Sequence, residues 1–140
     1  MRELISRVAD GFGQLRSVAA TSEFLTSPSS NGRFDEYVFR FESGQFVVTA
    51  NPSDDTILLN DQGLTLPNVV ELSTEEPWHK LLGCGVLWIW LLENHRGYLD
   101  GIQIEFAQPG RCWCIQLMCE ASSLSARSVG EIGDLTNQFI

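Results

Sequence analysis

The residues best suited to bind a ligand alternate along three consecutive segments in the last third of the chain. Trp88 and Trp90 stand two residues apart, Gln103 and Glu105 do the same in the next segment, and Gln116 follows in the third. Residues two apart on a strand share one face of a sheet. Because large aromatic side chains beside amides and a carboxylate are typical of binding sites, these five residues form a candidate binding face.

Two interpretations of this face remain open. Tryptophan on a sheet often packs beneath a helix, and either the helix expected at the N-terminus or one expected near residues 77–82 could cover it. Gln103 and Gln116 could then hydrogen-bond to each other, because buried polar groups need partners. In the other interpretation the face is an open groove for a ligand or a partner.

Two turns decide which of these residues are neighbours. Residues 108–111 have proline second and glycine third, as in a type II turn, and residues 94–97 form a four-residue loop. Counting from both turns gives an antiparallel meander whose apolar face carries the pairs Phe106–Trp113, Ile104–Ile115, Ile102–Leu117, Ile89–Ile102 and Leu87–Ile104. The opposite face places Trp90 over Gly101 and Trp88 beside Gln103. Since residues 84–92 are apolar on both faces, we expect a central strand covered on both sides.

Periodicity elsewhere predicts the remaining elements. An apolar stripe from Leu4 to Phe12 predicts a short N-terminal helix, and a Thr74 cap begins a second helix that runs to Leu82. Strands are expected in residues 14–23, 34–42, 45–50, 56–60 and the start of 123–140, with a loop at 27–32 and a loose tail at the end. A two-residue turn at Ser43 and Gly44 predicts the pairs Phe41–Phe46, Phe39–Val48 and Tyr37–Ala50.

These elements predict one domain over residues 1–140, since a chain of this length is typical of a single domain. The fold class is α+β: a mostly antiparallel, twisted sheet of six to eight strands, arranged as a meander, with one or two short helices.

The net charge of the chain indicates which classes of partner it can bind. The chain has 9 Lys and Arg against 18 Asp and Glu, a net charge of −9. This balance argues against nucleic acid and against an anionic membrane. Half of the acids lie between residues 33 and 76, and seven of these form a candidate acidic surface: Asp35, Glu36, Asp54, Asp55, Asp61, Glu75 and Glu76.

Residue patterns give no catalytic, metal or cofactor site. The spacing of Cys112 and Cys114 is C-x-C rather than the C-x₂₋₄-C pair of structural zinc, so small buried hydrophobes are the expected role of these residues and of Cys84 and Cys119. His95 lies near Asp100, but its loop is expected to be a solvated turn. The N-terminus lacks a signal peptide and no apolar run reaches about 20 residues, so a cytoplasmic protein is expected.

Residues 77–127 carry motifs that resemble a family of small bacterial proteins. These are Pro77-Trp78, Leu87-Trp88-Ile89-Trp90, Asn94, Gly97-Tyr98-Leu99-Asp100-Gly101-Ile102-Gln103-Ile104-Glu105-Phe106, Ile115-Gln116-Leu117 and Glu120-Ala121-Ser122. The family is a domain of unknown function. The resemblance implies a cytoplasmic bacterial α+β protein and implies no activity, cofactor or catalytic residue.

Two functional hypotheses follow. The first is a non-enzymatic, acidic protein-binding module, because small acidic proteins can neutralise basic partners such as nuclease toxins by electrostatic complementarity. The second is a small-molecule binder or modest enzyme that uses the Trp88/Trp90 face. The sequence identifies neither the partner nor the oligomeric state.

Overall fold

The computed structural model describes residues 1–22 and 33–132. Within these residues it has two antiparallel sheets, one α-helix and one 3-10 turn at His79–Leu81. The elements are α1 Arg2–Gly11, β1 Leu15–Thr21, β2 Arg33–Phe34, β3 Glu36–Phe41, β4 Gln45–Asn51, β5 Thr56–Asn60, β6 Val69–Glu71, β7 Gly85–Glu93, β8 Leu99–Gln108, β9 Arg111–Glu120 and β10 Ser123–Ile132. The loop expected at 27–32 and the tail expected after 132 lie outside the described residues.

Each sheet has five strands. Sheet I has the order β5-β4-β3-β1-β6, and sheet II has the order β2-β10-β9-β8-β7. The chain crosses from sheet II to sheet I at Asp35, between β2 and β3. There the Asp35 N–H donates to the Thr21 carbonyl at 2.8 Å, and the Asp35 carbonyl accepts from the Ala50 N–H at 2.9 Å.

One apolar core lies between the inner faces of the two sheets. Phe39 of sheet I contacts Phe106 of sheet II, with 5.9 Å between ring centroids, and Trp78 packs on both Tyr37 and Phe39. Helix α1 adds Leu4 and Val8 to the same core. The prediction of a single sheet is therefore corrected to two sheets and a mostly-β protein, because each sheet has an apolar face that is buried against the other.

The β3–β4 hairpin has the predicted faces in a different register. Phe39 pairs with Phe46 and Tyr37 with Val48, two residues away from the predicted pairs. The turn forms one residue earlier than expected, because the Phe41 N–H donates to the Gly44 carbonyl at 2.8 Å. Phe12 packs so closely on Gly44 that an added Cβ would lie 2.7 Å from its ring. A shift of two residues keeps every side chain on its predicted face.

The helix predicted from Thr74 to Leu82 is reduced to the 3-10 turn at His79–Leu81. Leu82 is already extended, with ψ 134°. The Gly83 N–H donates to the Leu15 carbonyl at 2.9 Å, and the Leu15 N–H donates to the Cys84 carbonyl at 2.8 Å. This pairing with β1 straightens the chain where the local pattern favours a helix.

Strand β7 is an edge strand of sheet II, so the prediction of a central, doubly covered strand is wrong. A bulge lies between Val86 and Trp88, and Leu87 at that bulge is 41% exposed rather than part of the apolar face. Ile89 and Leu91 pack against the core, whereas both tryptophans are exposed. The strand is apolar on both faces although only its inner face is buried.

The β8–β9 hairpin confirms its prediction. Phe106 pairs with Trp113, and the two-residue turn at Pro109 and Gly110 has φ +82° at the glycine. Strands β5 and β10 also lie where the sequence places them. Among the described residues, no helix is long and apolar enough to cross a membrane.

Candidate functional site

The outer face of sheet II carries a row of four side chains, one from each of four adjacent strands. Trp90 of β7 pairs with Gln103 of β8, Gln103 with Gln116 of β9, and Gln116 with Arg127 of β10. The Gln116 amide donates to Gln103 Oε1 at 2.8 Å, and Arg127 Nε donates to Gln116 Oε1 at 3.2 Å. These bonds hold the polar side chains in fixed positions beside the indole of Trp90.

Trp88 and Trp90 form the apolar half of this face. Their ring centroids are 6.5 Å apart, with 37° between the ring planes. Trp88 is 57% exposed and Trp90 is 44% exposed. The interpretation in which a helix covers them is therefore wrong, because α1 directs Leu4 and Val8 into the core and residues 77–82 form only a short turn around the buried Trp78.

Glu105 belongs to a second row on the same face. It pairs with Trp88 on one side and with Cys114 on the other. Burial raises the pKa of the Glu105 carboxyl above its ordinary value. Burial, together with the nearby Glu105 and Cys112, raises the pKa of the Cys114 thiol to about 11. All four cysteines are buried and free, as predicted, and a thiol with so high a pKa is a poor nucleophile at neutral pH.

All five residues of the candidate binding face lie on one side of sheet II. The partners of the tryptophans differ from the prediction by two residues, since Trp88 faces Glu105 rather than Gln103, and Trp90 faces Gln103 rather than Gly101. The shift arises at the end of the hairpin, where Glu93 pairs with Leu99 and Asp100 of β8 is left unpaired between Leu99 and Gly101. Arg127 was missed, although the alternation of Ser125 and Arg127 with apolar neighbours was a signal that placed it on the outer face.

Glu36 does not belong to an acidic surface, which corrects the prediction. Glu36 is only 1% exposed, because the loop at 61–66 covers the outer face of sheet I. Its carboxylate accepts hydrogen bonds from Thr21, Thr49, Thr65 and the Leu66 N–H. Burial raises the pKa of Glu36, but the hydrogen bonds from Thr65, Leu66 and Thr21 outweigh burial, so the pKa lies below its ordinary value.

The other six predicted acids lie in turns and at a sheet crossing. Asp61 forms an ion pair with Arg7 at 3.0 Å, and Glu76 forms one with Lys80 at 3.7 Å. Asp54 and Asp55 are exposed in the β4–β5 turn, Glu75 is exposed before the 3-10 turn, and Asp35 lines a cavity at the crossing between sheets. Hydrogen bonds to Thr56 and Ser122 fix the carboxylates of the β4–β5 turn.

The loop at 94–97 is a solvated turn, as predicted. The Asn94 carboxamide oxygen accepts from the N–H groups of Arg96 and Tyr98, at 2.9 and 3.2 Å, and its amide donates to Asp100. His95 is exposed. These bonds are those of an Asx turn and give the loop a structural role.

Three cavities, of about 450, 430 and 200 Å³, have no residue of the candidate binding face in their walls. On the face itself Trp88 and Trp90 are exposed, whereas Gln103, Glu105 and Gln116 are half-buried. Among residues 1–22 and 33–132, no group of three or more His, Cys, Asp and Glu side chains could hold a metal ion.

Comparison with known proteins gives one match. Residues 7–133 match DUF6334, described as a family of unknown function. A search of the curated proteins and a search of the solved structures each found no match.

Proposed function

The chain belongs to DUF6334, a family of unknown function, and we propose a function for it. We propose that it is a non-enzymatic module that binds a basic protein on the outer face of sheet II. The observation that carries this proposal is the exposed pair Trp88 and Trp90 beside a hydrogen-bonded polar row.

The chemistry of this face favours a protein partner. Tryptophan is among the residues that contribute most to interface affinity when a partner covers it. Gln103, Gln116 and Arg127 are already held by hydrogen bonds, so little side-chain entropy is lost when a partner binds. Small-molecule sites are concave, and none of the three cavities described above includes a residue of this face, so a small-molecule binder or a modest enzyme has less support.

Charge sets the kind of partner. The net charge of −9 favours a basic protein, because complementary charge accelerates association and excludes acidic competitors. The exposed Asp54, Asp55, Glu75 and Glu93 have no ion pair among the described residues. The four free thiols support a reducing, cytoplasmic setting for the interaction.

The test is affinity capture with three immobilised proteins. These are the wild type, the double variant Trp88→Ala/Trp90→Ala, and the control Leu58→Ala/Val69→Ala, which removes two equally exposed apolar side chains from sheet I. We expect the wild type and the control to retain the same basic protein at low ionic strength and to release it at high ionic strength. Capture of nothing, or equal capture by all three, contradicts the proposal.

A second copy of the chain is the competing occupant of the face. Sedimentation of the wild type and of the Trp88→Ala/Trp90→Ala variant separates the two cases. The proposal expects a monomer for both proteins, and a wild-type dimer that the double substitution dissociates overturns it.

A further inference from the structure

A cavity of about 430 Å³ lies beside the point where the chain crosses between the two sheets, away from the candidate binding face. Its volume falls within the range of small-ligand sites, about 300–1,000 Å³. It is lined by residues of β4 and the turn after it, the loop at 65–66, the sheet crossing, and the β9–β10 turn with the start of β10: Asp35, Thr49, Ala50, Pro52, Thr65, Leu66, Ala121, Ser122 and Ser123.

One wall of the cavity is a strained turn. Glu120 pairs with Ser123, so Ala121 and Ser122 form a two-residue hairpin loop, and both have positive φ, 51° and 67°. Asn and Gly are the usual residues at such positions. The Ser122 N–H donates to Asp55 Oδ1 at 2.7 Å, and the Ser122 hydroxyl donates to the Pro52 carbonyl at 3.3 Å. Backbone strain held in this way is concentrated at functional sites.

The polar groups of the wall are arranged as hydrogen-bond acceptors. The hydroxyls of Thr49 and Thr65 donate to the Glu36 carboxylate, and the hydroxyl of Ser122 donates to a carbonyl. A hydroxyl has one hydrogen, so each of these three oxygens can only accept from a ligand. The Asp35 carboxylate also only accepts. The Ser123 hydroxyl accepts a hydrogen bond from Arg33, and that bond does not use the hydroxyl's own hydrogen.

Charge reinforces this arrangement. Asp35 lies in the wall, the buried Glu36 carboxylate lies directly behind Thr49 and Thr65, and Asp55 bonds to the backbone of Ser122. Arg33, beside Ser123, is neutralised in part by Glu120, with 3.5 Å between the charged atoms. A ligand that fits this wall therefore carries positive charge and several donors.

We propose that this cavity binds an alkyl ammonium or guanidinium group. A planar guanidinium has five N–H donors and an ammonium has three, which match the convergent acceptors. A Ca²⁺ ion is a poorer match, because it requires six to eight oxygen ligands with several carboxylates among them. The site does not depend on the tryptophan face, since the group can come from a free amine or from a Lys or Arg side chain of a protein.

The first experiment is an amide NMR titration of the full chain with n-butylguanidinium, n-butylammonium and neutral 1-butanol. We expect saturable shifts at Ala50, Leu66 and Ser123 with the two cations, with Kd on the order of 1 mM. Butanol should produce none. No saturable shift with either cation, or the same shifts with butanol, overturns the proposal.

The matched variants are Ser122→Gly in the cavity wall and Asn68→Gly outside it. Glycine accepts the positive φ of both positions, so both proteins should fold. Only Ser122→Gly removes an acceptor from the cavity, so it should weaken n-butylguanidinium binding about fivefold to tenfold, while Asn68→Gly leaves it within about twofold. Equal affinity of the two variants contradicts the assignment.

Charge is tested with Asp35→Asn and with Glu93→Gln, which removes one negative charge from the end of β7. Asp35→Asn should weaken n-butylguanidinium binding about tenfold or more, whereas Glu93→Gln should change it less than about twofold. Equal weakening by both variants shows only the effect of net charge and overturns the site.

A last comparison distinguishes the source of the cation. Putrescine represents a free amine, and a blocked Gly-Arg-Gly peptide represents a protein side chain. Tighter binding of putrescine assigns the cavity to a small metabolite amine, and tighter binding of the peptide assigns it to an arginine of a partner. If neither putrescine nor the peptide binds, the proposal is overturned.

Discussion

At the scale of the residue, the buried Glu36 carboxylate joins three separate segments of the chain. It bonds to β1 through Thr21, to β4 through Thr49, and to the loop at 61–66 through Thr65 and Leu66. A buried carboxylate with this many donors organises its surroundings, because each donor would otherwise lack a partner.

We predict that Glu36→Gln lowers the free energy of unfolding by about 2–4 kcal/mol at neutral pH, because the amide presents donors to groups that are already donors. Since the folded-state pKa of Glu36 lies below its ordinary value, the stabilisation is present above pH 4.5 and is lost as the pH falls through the folded pKa. Urea unfolding of both proteins between pH 7 and pH 3 checks this, and their stabilities should converge in acid. As a control, Glu71→Gln, in an exposed ion pair, should change stability by less than about 1 kcal/mol.

The exposed tryptophans should contribute little to stability. Trp90→Ala is expected to cost less than about 1 kcal/mol, because surface substitutions create no cavity. Phe39→Ala, in the core between the sheets, is expected to cost about 3–5 kcal/mol. Thermal unfolding of the two variants measures the difference, and a cost for Trp90→Ala close to that of Phe39→Ala would show that the tryptophan face is part of the core.

At the scale of the element, turns and long-range contacts decide what the sequence can predict. The β8–β9 register follows from the turn at Pro109 and Gly110, whose residue types fix its geometry. The β3–β4 register does not follow from its turn, because it depends on Phe12, which is distant in sequence and packs on Gly44. The local pattern at Thr74 favours a helix, but pairing of Gly83 with Leu15 overrides it.

The candidate binding face was predictable for the same reason. Alternation places Trp88, Trp90, Gln103, Glu105 and Gln116 on one side of the sheet. A shift of the strand pairing by two residues, as observed here, does not change that side. Whether another element covers the face was not predictable, since an apolar strand can be central or lie at an edge. The cavity at the sheet crossing was missed because its walls come from four separate segments.

The β9–β10 turn gives a prediction at this scale. Ala121 has φ 51°, a conformation that costs an L-residue about 1–2 kcal/mol, whereas glycine adopts it freely. Ala121→Gly should therefore raise the free energy of unfolding by up to about 1 kcal/mol, since the greater freedom of glycine in the unfolded chain offsets part of the gain. Denaturant unfolding with Ala126→Gly as the control, where β10 is extended and the substitution should destabilise, checks the sign.

For the whole molecule, charge and exposed aromatic surface act together. The net charge of −9 attracts a basic protein over long range, and Trp88 and Trp90 provide the apolar contact once it arrives. Added salt should therefore slow association, while loss of the tryptophans should accelerate dissociation.

The most direct measurement is the Kd of the captured basic protein for the wild type, for Trp88→Ala/Trp90→Ala and for Leu58→Ala/Val69→Ala. Two interface residues worth about 2 kcal/mol each predict a loss of about 1,000-fold for the tryptophan variant. The sheet I control should bind within about threefold of the wild type. Equal affinity for all three proteins would contradict the assignment of the tryptophan face as the docking surface.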